Sequence, residues 1–263
     1  TLRYPPTQPY AYGGHVMIYG DGDPWLVPFA FIPWFISCDE QTDIPGSECY
    51  ALKALYDTTG GANWFRQDGW LKIPPCGWYG VTCDAGHVAI LTNSTSGSRY
   101  GNNLIGPLPA QLADLSEMWD LSLNSDYLYG SIPPEWGRMN KLYWLWLSGN
   151  QLSGTLPPEL FNMSSLREIV LQLNQFSGPI SPDIGKLTHL TGIGFTYNQF
   201  SGSLPSELGN LSDLRDILIA NNQLSGPIPS SLGNLSNLSW LGLMHNHLTG
   251  SIPKELGKPV KMD

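Results

Sequence analysis

Apolar and polar positions along the later part of the chain recur on a fixed 24-residue spacing. Asn102, Asn150, Asn174, Asn198, Asn222 and Asn246 fall on it, and Asp126 fills the one remaining slot. Two residues beyond each comes an apolar side chain (Leu104, Leu128, Leu152, Phe176, Phe200, Leu224, Leu248), and two further on a glycine. An Ile/Leu-Pro pair follows, except in the fourth unit, where Ile180 precedes Ser181. Upstream of the polar slot, apolar residues at minus five and minus three, such as Leu145 and Leu147 or Ile217 and Ile219, alternate with variable ones. A period of two predicts a strand with one face inward.

One such coil cannot bury its apolar edge alone, whereas neighbours in register can share a core. The pattern therefore predicts a seven-coil solenoid whose strands form a parallel sheet, spaced ~4.8 Å apart. An asparagine at the inward turn both donates and accepts, so it can bond the backbones of adjacent coils and stack as a ladder. An ionised aspartate only accepts. Asp126 is thus expected to be solvated, protonated or supplied with extra donors, and Asp126→Asn to be neutral or stabilising.

Segments such as "LWLSGNQLSGTLPPELFNMSSL" and "ILIANNQLSGPIPSSLGNLSNL" resemble the plant-type extracellular leucine-rich repeat. The preceding "CYALKALYDTTGGANWFRQDGW" and "CGWYGVTCDAGHV" resemble the amino-terminal cap of such proteins. The resemblance implies an α/β solenoid, a right-handed superhelix with a parallel β-sheet on the concave face, short 3₁₀ and strand segments on the convex face, and a disulfide-bearing helical cap. Relatives of this kind include receptor ectodomains and polygalacturonase-inhibiting proteins, which bind rather than catalyse. The expected organisation is an arm over 1–45, a cap over 46–87 and seven repeats over 88–263.

The first repeat departs from the pattern, because Gly97 and Arg99 stand where apolar residues belong. Its strand is expected at Val88–Leu91, followed by an insertion of about six residues that leaves Asn93 in an exposed loop. At the other end "IPKELGKPVKMD" follows the seventh repeat directly, so an open end with exposed core is expected. The arm over 1–45 is rich in proline and aromatics, and "HVMIY" and "WLVPFAF" read as short strands around "GDGDP". Tyr19, Trp25, Phe29, Phe31, Trp34 and Phe35 need a surface to cover. That surface is either the chain's own cap or a neighbouring molecule, the latter giving a head-to-tail filament through the arm and the uncapped repeat.

Composition narrows the partners. The net charge is −9, with 13 Lys+Arg against 22 Asp+Glu and no basic run, which argues against nucleic acid. The apolar stretch Trp25 to Ile36 is interrupted by Pro28 and Pro33 and is shorter than the ~20 residues a spanning helix needs. Cys38, Cys49, Cys76 and Cys83 cluster before the repeats, which suits two disulfides of an oxidising compartment better than zinc. Cys38 with Cys49 and Cys76 with Cys83 is the preferred of three pairings, the other two remaining open. Sequons at Asn93, Asn162, Asn210, Asn234 and Asn237 add to a secreted, N-glycosylated reading at the cell surface or in the matrix. The N-terminal Thr1 fits removal of a signal peptide.

Strand alternation assigns the outward residues of the concave face. At minus six stand Asp120, Trp144, Glu168, Gly192, Asp216 and Trp240; at minus four, Ser122, Trp146, Val170, Gly194, Leu218 and Gly242. Trp144, Trp146, Val170, Leu218 and Trp240 make an apolar strip interleaved with carboxylates, suited to a protein or polysaccharide ligand. Acids of one column two coils apart are separated by ~10 Å, beyond the range of inverting glycosidases, and an open sheet desolvates them little. His245 and His247 flank Asn246, too thin a pattern for a metal. A non-catalytic, cofactor-free binding protein is expected, with self-assembly as the alternative.

Overall fold

A computed structural model describes residues 37–93 and 101–257 and, as backbone only, the strands Ala11–Tyr12, His15–Ile18 and Trp25–Pro28. The last three pair antiparallel, His15 opposite Pro28 and Ile18 opposite Trp25, as the two predicted strands require. Of the arm's aromatics, Tyr19, Phe29, Phe31, Trp34 and Phe35 lie outside the described residues, as does the side chain of Trp25.

Seven parallel strands stack in the concave sheet: His87–Thr92, Asp120–Ser122, Trp144–Trp146, Glu168–Val170, Gly192–Gly194, Asp216–Leu218 and Trp240–Gly242. An eighth, Val81–Asp84, pairs antiparallel with the first and belongs to the cap. A second parallel sheet, from Ile105–Pro107 to His247–Thr249, lines the other wall, and short 3₁₀ turns such as Pro158–Asn162 complete each coil. Proline at the start of these turns has its φ preset and lacks only an N–H that has no partner there. The inward residues at minus five and minus three are fully buried through most of the stack, for example Leu145, Leu147, Ile217 and Ile219. In the last coil Leu241, Leu243 and Leu248 are only partly buried, and Ile252 is 76% exposed.

The asparagine ladder is regular. Oδ1 of Asn150, Asn174, Asn198, Asn222 and Asn246 accepts from the backbone N–H of Leu128, Leu152, Phe176, Phe200 and Leu224 of the preceding coil, at 2.9–3.1 Å. Nδ2 donates backwards to a second carbonyl, as Asn174 does to Leu147 at 2.9 Å, and within its own coil to Leu171 at 3.1 Å. Both amide functions are thereby used at buried sites, where an unpaired group is costly.

The first coil departs from the others where the insertion was expected. Leu91 pairs with Leu121, 30 positions on, whereas Leu121 pairs with Leu145, 24 on, so six residues are inserted. Asn93, however, is not in an exposed loop. Its N–H bonds Ser122 O at 3.1 Å, which puts it in the buried slot that Leu123 and Leu147 occupy later, and it is 5% exposed. Its Nδ2 donates to Asn124 O at 2.5 Å and to Asp126 Oδ2. An amide so placed is closed to a glycan in the folded chain, which corrects the expectation for this sequon.

Asp126 is explained by the same substitution. Its Oδ1 accepts from the N–H of Asn102 at 2.8 Å and Leu104 at 3.0 Å, and its Oδ2 from Asn93 Nδ2. Burial pushes its pKa up and these bonds pull it back, leaving it above the usual aspartate value. The bonds of the carboxylate all come from donors, so an asparagine that kept the bonds of Oδ1 would turn its Nδ2 toward Asn93 Nδ2, a geometry that argues against the expected neutrality of Asp126→Asn.

The cap closes the near end. Helix Gly46–Thr58 and the disulfides Cys38–Cys49 and Cys76–Cys83 enclose a core of Trp64, Trp70 and Trp78, whose rings contact at 4.6–4.8 Å. Buried Glu48 ties the helix to the first strand, accepting from Val88 N–H at 2.7 Å and meeting His87 Nδ1 at 2.6 Å. Asn102 binds both the N–H and the carbonyl of Arg66, at 2.6 and 2.7 Å, locking cap to solenoid. A small cavity at that junction, lined by Trp64, Trp70, Leu91 and Asn93, has room for about one water molecule.

Candidate functional site

The pairing register aligns the two columns across the sheet, with Ser122 and Gly194 of the minus-four column buried. Glu168 pairs with Trp144 on one side and Gly192 on the other, and Gly192 with Asp216, which in turn pairs with Trp240. The minus-six column therefore reads acid, tryptophan, acid, glycine, acid, tryptophan across six coils. Trp146 is 37% exposed and Trp240 69%, while Trp144, Val170 and Leu218 are half-buried. Gly192 and Gly194 leave room that neighbouring side chains use: a methyl group on Gly194 would lie 2.8 Å from Gln172 Nε2 and 3.1 Å from Val170 Cγ1.

Two further aromatics join the strip. Trp119 meets Trp144 edge-on at 5.4 Å, Tyr143 meets it at 6.2 Å, and the Arg167 guanidinium lies over the Tyr143 ring at 5.3 Å. Strict alternation would turn Trp119 and Tyr143 inward, but the strands begin only at Asp120 and Trp144. Just before the pleat starts, the side chains are free to lie on the rim. The signal available was their aromatic character one residue ahead of each strand.

Electrostatically the face is mixed. Asp120 is half-buried, and burial pushes its pKa up while the Ser122 hydroxyl, donating at 2.6 Å, opposes that shift. Glu168 and Asp216 take part in none of the ion pairs among the described residues. Arg167 and Arg215 stand exposed beside them. The register keeps any two of the three acids two strands apart or more. No group of three His, Cys, Asp or Glu side chains among the described residues is arranged to hold a metal ion. No helix among them is long and apolar enough to cross a membrane.

The sequons divide. Asn162, Asn210 and Asn234 are exposed, each the last residue of a 3₁₀ turn and each six residues ahead of a concave strand. Asn237 is exposed as well, but its Nδ2 donates to Ser212 O in the preceding coil at 2.8 Å.

Comparison with known proteins agrees with this architecture. Residues 141–163, 213–235 and 237–259 match the family model described as Leucine Rich Repeat. Over 116 residues the chain is 33% identical to a probable leucine-rich repeat receptor-like serine/threonine-protein kinase of Arabidopsis thaliana, covering 38% of this chain and 11% of that protein. Among solved structures, the ectodomain of the Arabidopsis thaliana receptor kinase GASSHO1/SCHENGEN3, in complex with Casparian strip integrity factor 2, superposes with a TM-score of 0.71 at 30% identity. That match covers 80% of this chain and 25% of the receptor chain. The ectodomain of the Arabidopsis receptor kinase HAESA, in complex with an N-terminally extended IDA peptide hormone, gives 0.69 at 30% identity over 80% of this chain and 35% of that one. The chain thus spans about a tenth of the curated relative and a quarter to a third of these ectodomains.

Proposed function

We propose that this leucine-rich-repeat protein, similar to plant receptor ectodomains, is an extracellular recognition module that holds a peptide or protein ligand against its concave strip. The observation that carries it is the run of Trp144, Trp146 and Trp240 on a strand face that water would otherwise cover, with Glu168 and Asp216 between them. Large amphipathic rings on a rigid sheet give contact area at little entropic cost, which is why tryptophan dominates binding hot spots. Two of the solved relatives carry a peptide or protein factor in complex, which supports a peptide over a polysaccharide here. The two disulfides support an oxidising, extracellular setting. Glycans on Asn162, Asn210 and Asn234 would form a rail along the edge where the strands begin.

A random-peptide phage library panned on the full chain tests this. Binders are expected whose affinity falls at least about tenfold in a W146A/W240A variant of unchanged melting temperature. Binders indifferent to both substitutions would remove the concave strip from the function.

A further inference from the structure

The residue just before six of the seven ladder positions, Asp126 to Asn246, takes a left-handed backbone. Its φ is +60° at Ser125, +69° at Gly149, +56° at Leu173, +58° at Tyr197, +54° at Asn221 and +55° at His245. This region suits glycine and asparagine, whereas in other residues the Cβ crowds the following carbonyl, and a bulky side chain there is uncommon. Leu173 and Tyr197 are bulky, and burial gives no compensation, since they are 56% and 55% exposed. The coil stack holds them in place: Leu173 N–H donates to Thr196 O at 3.0 Å, Tyr197 N–H to Ala220 O at 3.1 Å, and Asn174 N–H to Tyr197 O at 3.2 Å. Neither backbone preference nor packing accounts for two large apolar side chains at these positions. Strained residues that the surrounding structure over-determines cluster at binding and catalytic sites.

Resting on the concave-face reading, we infer that Leu173 and Tyr197 form a second contact for the bound peptide, an exposed pair on adjacent coils that takes one apolar side chain of an extended ligand. The two residues belong to neighbouring coils, ~4.8 Å apart where the strands pair. Each lies a few residues past the outward positions Val170 and Gly194, so the pair continues the concave strip along the edge where the strands end. The exposed sequons lie on the opposite edge, ahead of the strands, which leaves the Leu173–Tyr197 side open. Two side chains offer far less than the ~800 Å² per partner of a stable protein interface, so a single peptide side chain suits them and a second folded copy does not.

Binders from the library named above supply the probe, measured against full-length L173N and Y197N. Asparagine is at ease in the left-handed region, so each melting temperature should hold or rise by about 2–4 °C. Affinity should fall about tenfold or more. Replacing the peptide's apolar anchor with serine should weaken binding to the native chain but add little in L173N, as coupled contacts require. A melting temperature that falls in L173N or Y197N would give the residue a packing role and overturn the inference. Binders lost in W146A/W240A but unchanged in L173N and Y197N would leave the concave reading standing and overturn this one. Binders insensitive to all four substitutions would end both. Self-association of the native chain that vanishes in L173N would also overturn it, by giving the patch to a second copy.

Discussion

Replacing Asp126 by asparagine swaps one carboxylate oxygen for an NH₂ at a site where the side chain meets the N–H groups of Asn102 and Leu104 and Asn93 Nδ2. The amide oxygen can keep the two bonds from Asn102 and Leu104. The new Nδ2 must then face Asn93 Nδ2, donor against donor. A hydrogen bond to a charged partner contributes about 1.5–3 kcal/mol net, and burial of the lost charge returns part of that, so a net cost of about 1–2 kcal/mol is expected. For a chain of this size it corresponds to a fall of roughly 2–8 °C in melting temperature, followed by circular dichroism. The double variant N93L/D126N gives the first two coils the leucine and asparagine of the later repeats. It should recover at least about 1 kcal/mol relative to the sum of the single variants. A D126N variant as stable as the native chain, or more so, would refute the reasoning.

Three further outcomes follow from the same geometry. Gly80→Ala puts a methyl group 1.9 Å from Thr92 O at a φ of +83°, and should lower stability by more than about 2 kcal/mol in urea unfolding; an unchanged midpoint would show that the cap joint yields. The carboxyl of Asp120 has its folded pKa raised by burial, so its ionisation opposes folding. The native chain should therefore lose melting temperature relative to D120N as the pH rises from below the ordinary aspartate value through the folded one, and parallel curves would contradict this. On material from a secretory host, enzymatic deglycosylation should remove mass assignable to Asn162, Asn210 or Asn234 and none to Asn93, so a glycopeptide carrying Asn93 in folded protein would contradict its burial.

The solenoid was legible because its constraint is periodic. Every coil must present the same apolar face and the same ladder group, so Asn150 to Asn246 and the flanking leucines announce the repeat, and the six-residue insertion shows as a break in register. What escaped depended on one position against its neighbours. Asn93 carries a sequon, and a tripeptide pattern says nothing about whether the side chain points inward; only pairing with Ser122 places it in a leucine slot. Asp126 looked like a defective asparagine because its partner, Asn93, lies across the insertion. Trp119 and Tyr143 broke the alternation rule because the pleat starts one residue later. Leu173 and Tyr197 gave no sign, since their peculiarity is a backbone angle.

The central claim is that the concave sheet is the binding surface. Hydrogen exchange of the full chain, with and without a panned peptide, reports which backbone groups the ligand covers. Protection is predicted in the segments carrying Trp144–Trp146, Glu168–Val170 and Asp216–Leu218, and at Leu173 and Tyr197. Protection confined to the convex 3₁₀ turns, such as Pro158–Asn162 and Ser206–Asn210, would contradict it.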